Sequence, residues 1–262
     1  MTGFSVPVVH ISSAGNPLIK ELRKLSASSA AYRKLGKVWL EGDHLCRAAL
    51  ARGFQPELAV FSESFWPLAQ GFIAQAAMKN IVIADDLLHE ISTLESPAPM
   101  GFVMALPHTT ALLPGAPSII LDRVQDAGNV GSILRSAAAF GFSQVLALKG
   151  TAALWSPKVL RAGMGAHFGL RLSEGLNQEE IAALTIPLVV TSSHQGTALH
   201  EQRVPMPCAW VMGHEGQGVC EALMARAALH VRIEQPGGEE SLNVAAAAAI
   251  CLYASAQPVM AG

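Results

Sequence analysis

The chain has 262 residues, of which 51% are apolar and 15% charged, and its net charge at neutral pH is −2. That length and apolar content provide for a substantial core and a two-domain organisation, while near-neutrality excludes a protein that coats nucleic acid by bulk charge. The longest strongly apolar stretch, Val244 to Ala254, is too short to cross a bilayer, and Met1 to His10 lacks the basic-then-apolar plan of a secretory signal, so the expected setting is cytoplasmic.

In chain order, Asn16-Pro17 opens a helical pattern in which Leu18, Ile19, Leu22 and Leu25 share one face and Lys20, Arg23 and Lys24 point away from it. Basic charge concentrates here: residues 1–60 hold eight Lys/Arg against four Asp/Glu, and the remainder holds ten against sixteen. Lys20, Arg23, Lys24, Arg33, Lys34 and Lys37 are therefore candidate phosphate contacts, and they serve equally as a solvated helix face. Val38 to Leu40 reads as a strand, His44 to Ala51 as a helix stopped by Gly53. Strand-like runs follow at Leu58 to Phe61, Ile81 to Ala84 and Phe102 to Leu106, with helical segments around Pro67 to Lys79 and Leu87 to Ser92. Residues 1–106 thus form a small α/β unit. Pro107 to Pro117, rich in Pro, Thr and Gly and without periodicity, is the expected linker.

From 118 to 262 short β-rich runs alternate with helical ones: Ile119 to Leu121, Val145 to Leu148, Leu188 to Val190, Trp210 to Met212 and Val231 to Ile233. Such alternation implies a mostly parallel sheet covered on both faces. Four widely spaced cysteines, Cys46, Cys208, Cys220 and Cys251, form no C-x-x-C pair and read as reduced core residues or bystanders.

Three polar islands each follow one of these strands: Asn129-Val130-Gly131-Ser132-Ile133-Leu134-Arg135, Gly213-His214-Glu215-Gly216-Gln217-Gly218, and Ser241-Leu242-Asn243-Val244-Ala245. Open α/β sheets build ligand sites at strand carboxyl ends, so three such ends predict one pocket. Taken singly, each island also has a plain structural account. Asn129 or Gly131 opens a helix with Ile133, Leu134, Ala137 and Ala138 buried, Asn129 serving as its cap and Arg135 as a solvated side chain. Glu215 serves as a charge cap on a helix starting near Val219, and Ser241 and Asn243 as helix caps. The glycines of the second island permit close ligand approach to backbone, but the loop is neither G-x-G-x-x-G nor a P-loop. Thr191-Ser192-Ser193 ends another strand as a pocket lining or an ST-turn.

The order and wording of the islands resemble the SpoU/TrmH family of SPOUT-class RNA 2′-O-ribose methyltransferases, with the segment Ser156 to Ala166 in support. The resemblance implies a knotted, deep-trefoil parallel-sheet methyltransferase domain. Residues 1–106 are similar to the family's ribosomal-protein-like α/β/α substrate-binding domain, which makes Lys20, Arg23, Lys24, Arg33 and Lys34 RNA-binding candidates. By the same resemblance the cofactor is S-adenosyl-L-methionine, held near Thr191, Ser192, Gly213, Gly218, Ile233 and Leu242. Arg135, Asn129, Glu215, Ser241 and Asn243 are the implied catalytic group, and the partners are RNA, ribosomal rather than transfer, and a second copy of the chain in a homodimer. Glu234 to Glu240 departs from the family pattern, adding acids beside the expected cofactor contacts.

The implied reaction is an in-line methyl transfer in which Arg135 orients the 2′-hydroxyl and accepts or stabilises its developing charge, with the other four residues fixing geometry. No metal is expected, since the nine histidines show no H-E-x-x-H or paired spacing. The competing reading is a non-catalytic RNA- or ribosome-binding protein with the same fold.

Overall fold

A computed structural model describes residues 6–69, 72–108, 111–192, 196–238 and 241–257. Ser193, Glu239 and Glu240 lie outside the described residues. The chain divides into two compact units, one comprising Met1–His108 with Trp155–Phe168, the other Thr109–Leu154 with Gly169–Gly262.

The first unit contains β1 (Val8–Ile11), α1 (Pro17–Ala27), α2 (Ala31–Leu35), β2 (Lys37–Glu41), α3 (Asp43–Ala51), β3 (Leu58–Ser62), α4 (Trp66–Ala69), α5 (Phe72–Ala76), β4 (Lys79–Ile83), α6 (Asp85–Ile91) and β5 (Met100–Ala105). Its sheet has the order β1-β4-β3-β5-β2, with β5 antiparallel to both neighbours and the other pairs parallel. Asn16 caps α1 by accepting from the Leu18 N–H at 2.9 Å, and Pro17 occupies the first turn, where its missing N–H costs nothing. Ile19, Leu22 and Leu25 are buried beneath α1, while Lys20 and Lys24 are exposed. Strand β1 was not anticipated: three of its four residues are exposed at a sheet edge, so it carries none of the in–out alternation by which strands are read. The expected helix over 67–79 is instead two short helices, α4 and α5, followed directly by β4.

In the second unit β6 (Ser118–Leu121), α7 (Ala127–Ala139) and β7 (Gln144–Leu148) precede the segment Trp155–Phe168, which holds α8 (Pro157–Gly163) and groups with the first unit. The reason is apolar: Trp155, Val159, Leu160 and Phe168 are buried, and the Phe168 ring lies 5.2 Å from that of Phe54. The second unit then continues through β8 (Arg171–Leu176), β9 (Leu188–Thr191), β10 (Thr197–Ala198), β11 (Ala209–Met212), α9 (Glu221–Arg226), β12 (Leu229–Arg232) and α10 (Val244–Ala256). Strand β8 had no counterpart in the sequence reading; Glu174 and Gly175 interrupt its apolar run, and the register shifts between Ala147 and Leu148 of β7 opposite it.

The second sheet has the order β10-β12-β9-β11-β6-β7-β8, with every pair parallel. Its central strands β6, β7 and β11 are buried at every position, as expected for a sheet covered on both faces. Helices α7 and α10 pack together, and the fully buried Trp210 of β11 donates through Nε1 to Ser255 Oγ of α10 at 2.9 Å. Registers such as Leu121 beside Met212 and Val190 beside Val211 bring the carboxyl ends of β6, β9 and β11 level. Cys46, Cys208 and Cys251 are buried thiols, and burial pushes Cys208 and Cys251 up to about 12, so both stay protonated at neutral pH. Among the described residues no helix is long and apolar enough to cross a membrane.

One close approach limits substitution in the first unit. A Cβ on Gly101 would lie 2.2 Å from the buried Trp39 ring and 2.6 Å from the Leu40 carbonyl oxygen. Gly101→Ala is expected to destabilise this unit by on the order of 3 kcal/mol in denaturant unfolding. A loss under about 0.5 kcal/mol would show that the ring relaxes freely.

Candidate active site

The three islands meet at the carboxyl edge of the second sheet. The helix after β6 starts at Ala127, two residues earlier than the sequence suggested, and its cap is Asp126 rather than Asn129: Asp126 Oδ1 accepts from the Asn129 N–H at 2.7 Å. With the cap supplied from Asp126, the Asn129 carboxamide is available for other bonds. Its Nδ2 donates to Glu215 Oε1 at 3.1 Å, and its Oδ1 accepts from Asn243 Nδ2 at 2.9 Å. A continuous hydrogen-bonded chain, Asn243 to Asn129 to Glu215, therefore joins residues 86 and 114 positions apart in sequence.

Glu215 does not cap the helix following its loop. That helix, α9, begins at Glu221 and has no side-chain cap. Glu215 instead accepts from the backbone N–H groups of Gln125 (3.2 Å) and Asp126 (3.1 Å), tying the second island to the loop before α7. Partial burial pushes its carboxyl upward, but the Asn129 amide and these backbone donors outweigh that effect and hold it below the ordinary glutamate range. Asn243 is the N-cap of α10, its Oδ1 accepting from Ala245 and Ala246 N–H at 2.9 and 3.2 Å while its Nδ2 reaches Asn129. The cap that the sequence offered as a bland alternative and the site contact are thus made by the same side chain. Ser241 and Leu242 are exposed just ahead of it, Leu242 at 39%.

The glycine-rich island is a closed turn: His214 N–H donates to Gly218 O at 3.1 Å, and Gly218 N–H donates back to His214 O at 2.8 Å. A Cβ on Gly213 would lie 2.3 Å from both Gly218 C and Val219 N, so only glycine allows the turn to close. His214, which sequence reasoning passed over, braces it from inside, its Nδ1 accepting from the N–H groups of Gly216 and Gln217 at 3.0 and 3.2 Å. Arg123 and Asp122 were missed as well. Asp122, 1% exposed, accepts from Arg123 and from the Cys220 N–H at 2.7 Å, beyond the far end of the turn.

Arg135 lies on the exposed side of α7 and forms no hydrogen bond or ion pair with the described residues. Thr191 closes β9, and the Ser192 N–H donates to Val231 O at 3.0 Å, so both flank the end of β12. Ile233, half-buried, follows β12 and lines a cleft of about 1060 Å³ with Leu199, His200, Arg203, Glu234 and Tyr253. In the first unit Lys20, Lys24, Arg33 and Lys34 are exposed, Arg33 over the Tyr32 ring. Arg23 is half-buried and ion-paired with Glu90, and Lys37 pairs with Glu21 at 3.1 Å, which ties both to carboxylates. Among the described residues no group of three or more His, Cys, Asp or Glu is placed to hold a metal ion.

Because Glu215 is depressed in the folded protein, the stability it contributes is present above the unfolded glutamate pKa of about 4.3 and is lost only as pH falls through the lower folded value. The amide chemical shifts of Gln125 and Asp126 should accordingly hold constant from neutral pH down through about 4.3 and move below it. A transition above that point would contradict the assignment of these bonds to the ionised carboxylate.

Comparison with known proteins places both parts of the chain in known families. Residues 116–253 match the model of the SpoU rRNA Methylase family, and residues 16–101 match the MRM3-like substrate binding domain. The 23S rRNA (guanosine(2553)-2′-O)-methyltransferase RlmP of Bacillus subtilis (strain 168) is 30% identical over 247 residues, covering 93% of this chain and 97% of that protein. A crystal structure of an RNA 2′-O ribose methyltransferase superimposes with a TM-score of 0.77 at 29% identity, covering 94% of this chain and 98% of that one. The AdoMet-bound rRNA methyltransferase of Sinorhizobium meliloti shares the fold at 24% identity, with a TM-score of 0.82 over 95% of this chain and 97% of that one. With a family model spanning more than half of its length and a relative matched almost end to end, the chain belongs to the SpoU rRNA methylase family.

Proposed function

We propose that this protein transfers a methyl group from S-adenosylmethionine to a ribose 2′-hydroxyl of ribosomal RNA. The observation that carries the proposal is the Asn243–Asn129–Glu215 chain, which brings the family's three motifs into one hydrogen-bonded unit at the strand ends. The choice of ribosomal RNA and of the 2′-oxygen is supported by the relative whose own activity is so described, and by the substrate-binding-domain match.

The residues present fit such a cofactor. Gly218 leaves open space beyond its backbone, the exposed Leu242 and half-buried Ile233 offer aliphatic surface to a purine, and the loop offers main-chain hydrogen-bonding groups. Thr191, Ser192 and Gly213 complete the proposed cofactor residues. When bound, S-adenosylmethionine supplies a methyl carbon made electrophilic by its sulfonium. Arg135, charged and unpaired among the described residues, donates hydrogen bonds to the ribose oxygen and stabilises the negative charge that grows there. An arginine pKa of about 12.5 or more makes this a stabilising role rather than a simple proton abstraction. Asn129, Glu215 and Asn243 hold the loop ends in register, and Ser241 lies at the start of the third island for substrate contact. Positioning of this kind is worth roughly 7 to 11 kcal/mol in favourable cases.

The exposed Lys20, Lys24, Arg33 and Lys34 form the proposed phosphate-contact surface of the first unit. Exposed Ile250 (41%) and Tyr253 (56%) on α10 support an apolar homodimer face, and the family's trefoil knot belongs to the same proposal.

Arg135→Ala should lower methyl transfer by on the order of a hundredfold or more in a labelled-cofactor assay while cofactor affinity by calorimetry stays within about threefold. Near-normal turnover would end its catalytic assignment. Gly213→Ala, by prising the turn open, should abolish cofactor binding without loss of helical circular dichroism. For RNA, replacing Lys24 and Lys34 with Ala should lower the slope of log affinity against log salt by about 1.5, and an unchanged slope would move the RNA surface elsewhere.

A further inference from the structure

Arg123 adopts a φ of 61°, a left-handed backbone conformation unusual for a residue bearing a long side chain, and Gly150 at the end of β7 leaves room for its stem: a Cβ there would lie 3.2 Å from Arg123 Cγ. From this position the guanidinium makes contacts in two directions. Toward β6 it grips the buried Asp122 carboxylate, Nε to Oδ1 at 2.9 Å and Nη2 to Oδ2 at 3.1 Å. Toward the glycine-rich turn Nη1 donates to Gln217 Oε1 at 2.9 Å and Nη2 reaches Gly218 O at 3.5 Å. Asp122 Oδ2 completes the circuit by accepting from the Cys220 N–H at 2.7 Å.

The turn is therefore held at both ends by different groups. Glu215 anchors its leading side to the loop before α7, and the Arg123–Asp122 pair anchors residues 217–220 on its trailing side. We infer that Arg123 is a positioning residue that latches the trailing half of this turn and thereby sets affinity for S-adenosylmethionine rather than the rate of transfer; the inference rests on the methyltransferase reading above. The separation follows from the geometry. Arg123 bonds to none of Asn129, Glu215 or Asn243, so its loss leaves their chain intact, while the trailing half of the turn at Gln217 and Gly218, proposed to face the cofactor, loses its side-chain link to β6 and keeps only the paired backbone bonds between His214 and Gly218. A planar fork suits these contacts because they are spread over Nε, Nη1 and Nη2, whereas an ammonium carries all its N–H donors on one atom.

The test compares wild type, Arg123→Gly and Arg123→Lys for cofactor KM, kcat, calorimetric cofactor Kd and thermal midpoint. Arg123→Gly removes the latch and relieves the left-handed backbone but leaves the buried Asp122 carboxylate without its guanidinium, so its thermal midpoint should fall, while well below that midpoint cofactor KM and Kd rise about tenfold and kcat changes less than about threefold. Arg123→Lys, which keeps the charge beside Asp122, should fall between. A Kd for Arg123→Gly, measured well below its thermal midpoint, within about twofold of wild type overturns the latch, as does a fall in kcat equal to the rise in KM. Wild-type protein that binds no S-adenosylmethionine would overturn the methyltransferase reading and the latch with it, an outcome distinguishable because the control itself fails.

Discussion

Everything at the carboxyl edge of the second sheet depends on the two-sided use of one carboxamide. Asn129 donates to Glu215 and accepts from Asn243, and a neutral amide is suited to this because it offers both functions on one planar group. A carboxylate in its place would repel Glu215 and lose the donor; a hydroxyl is too short to span both neighbours. The arrangement also requires that something else cap α7, and Asp126 does so three residues earlier. Each bond is modest in partly exposed surroundings, but together they set the relative placement of three loops that share no sequence neighbourhood.

The electrostatic plan is consistent with that placement. Asp122 and Glu215 are both held in their ionised form, and in each case burial works against the charge while donors aimed at the oxygens prevail. For Asp122 the main donors are the Arg123 guanidinium and the Cys220 N–H; for Glu215 they are the Asn129 carboxamide and two backbone N–H groups. Neither carboxylate is therefore suited to give up a proton near neutrality. Their work is to hold loops, and the exposure of Arg135 on α7, where it forms no ion pair with the described residues, is what supports its proposed role toward substrate.

Much of this was legible in the sequence because it is carried by local signals. The apolar runs ending at Leu121, Leu148, Val190 and Met212 are buried on both faces and so read as continuous hydrophobic stretches, and the polar islands that follow stand out against them. The Asn16-Pro17 start of α1 is likewise a local matter of capping and fixed φ. What escaped was decided over distance. β1 is defined by pairing with β4 rather than by its own pattern, and β8 takes its register from β7 across a bulge. The grouping of Trp155–Phe168 with the first unit arises from rings such as Phe54 that lie a hundred residues away in the chain. In the site, the Asp126 cap is a local signal that Asn129, an equally good cap residue three positions on, obscured, whereas the service of His214, Asp122 and Arg123 is set by a partner on another loop or by the closing of a turn.

The strand order of the second sheet bears on how the protein comes into being. β11 lies between β9 and β6, and neither of those strands pairs with the other. As the chain leaves the ribosome, β6, β7 and β8 can associate at once, but β9 has no neighbour to join them through until Ala209 to Met212 has emerged. The half-built sheet must meanwhile expose the unpaired backbone edge of β6, three of whose four residues are apolar, the kind of surface that chaperones shield. Completion then relies on pairings between distant parts of the chain, which close slowly because their loop entropy must be surmounted before any contact forms. Joining β9 to the strands β6, β7 and β8 therefore waits on β11, which makes the insertion of β11 the step that completes the sheet.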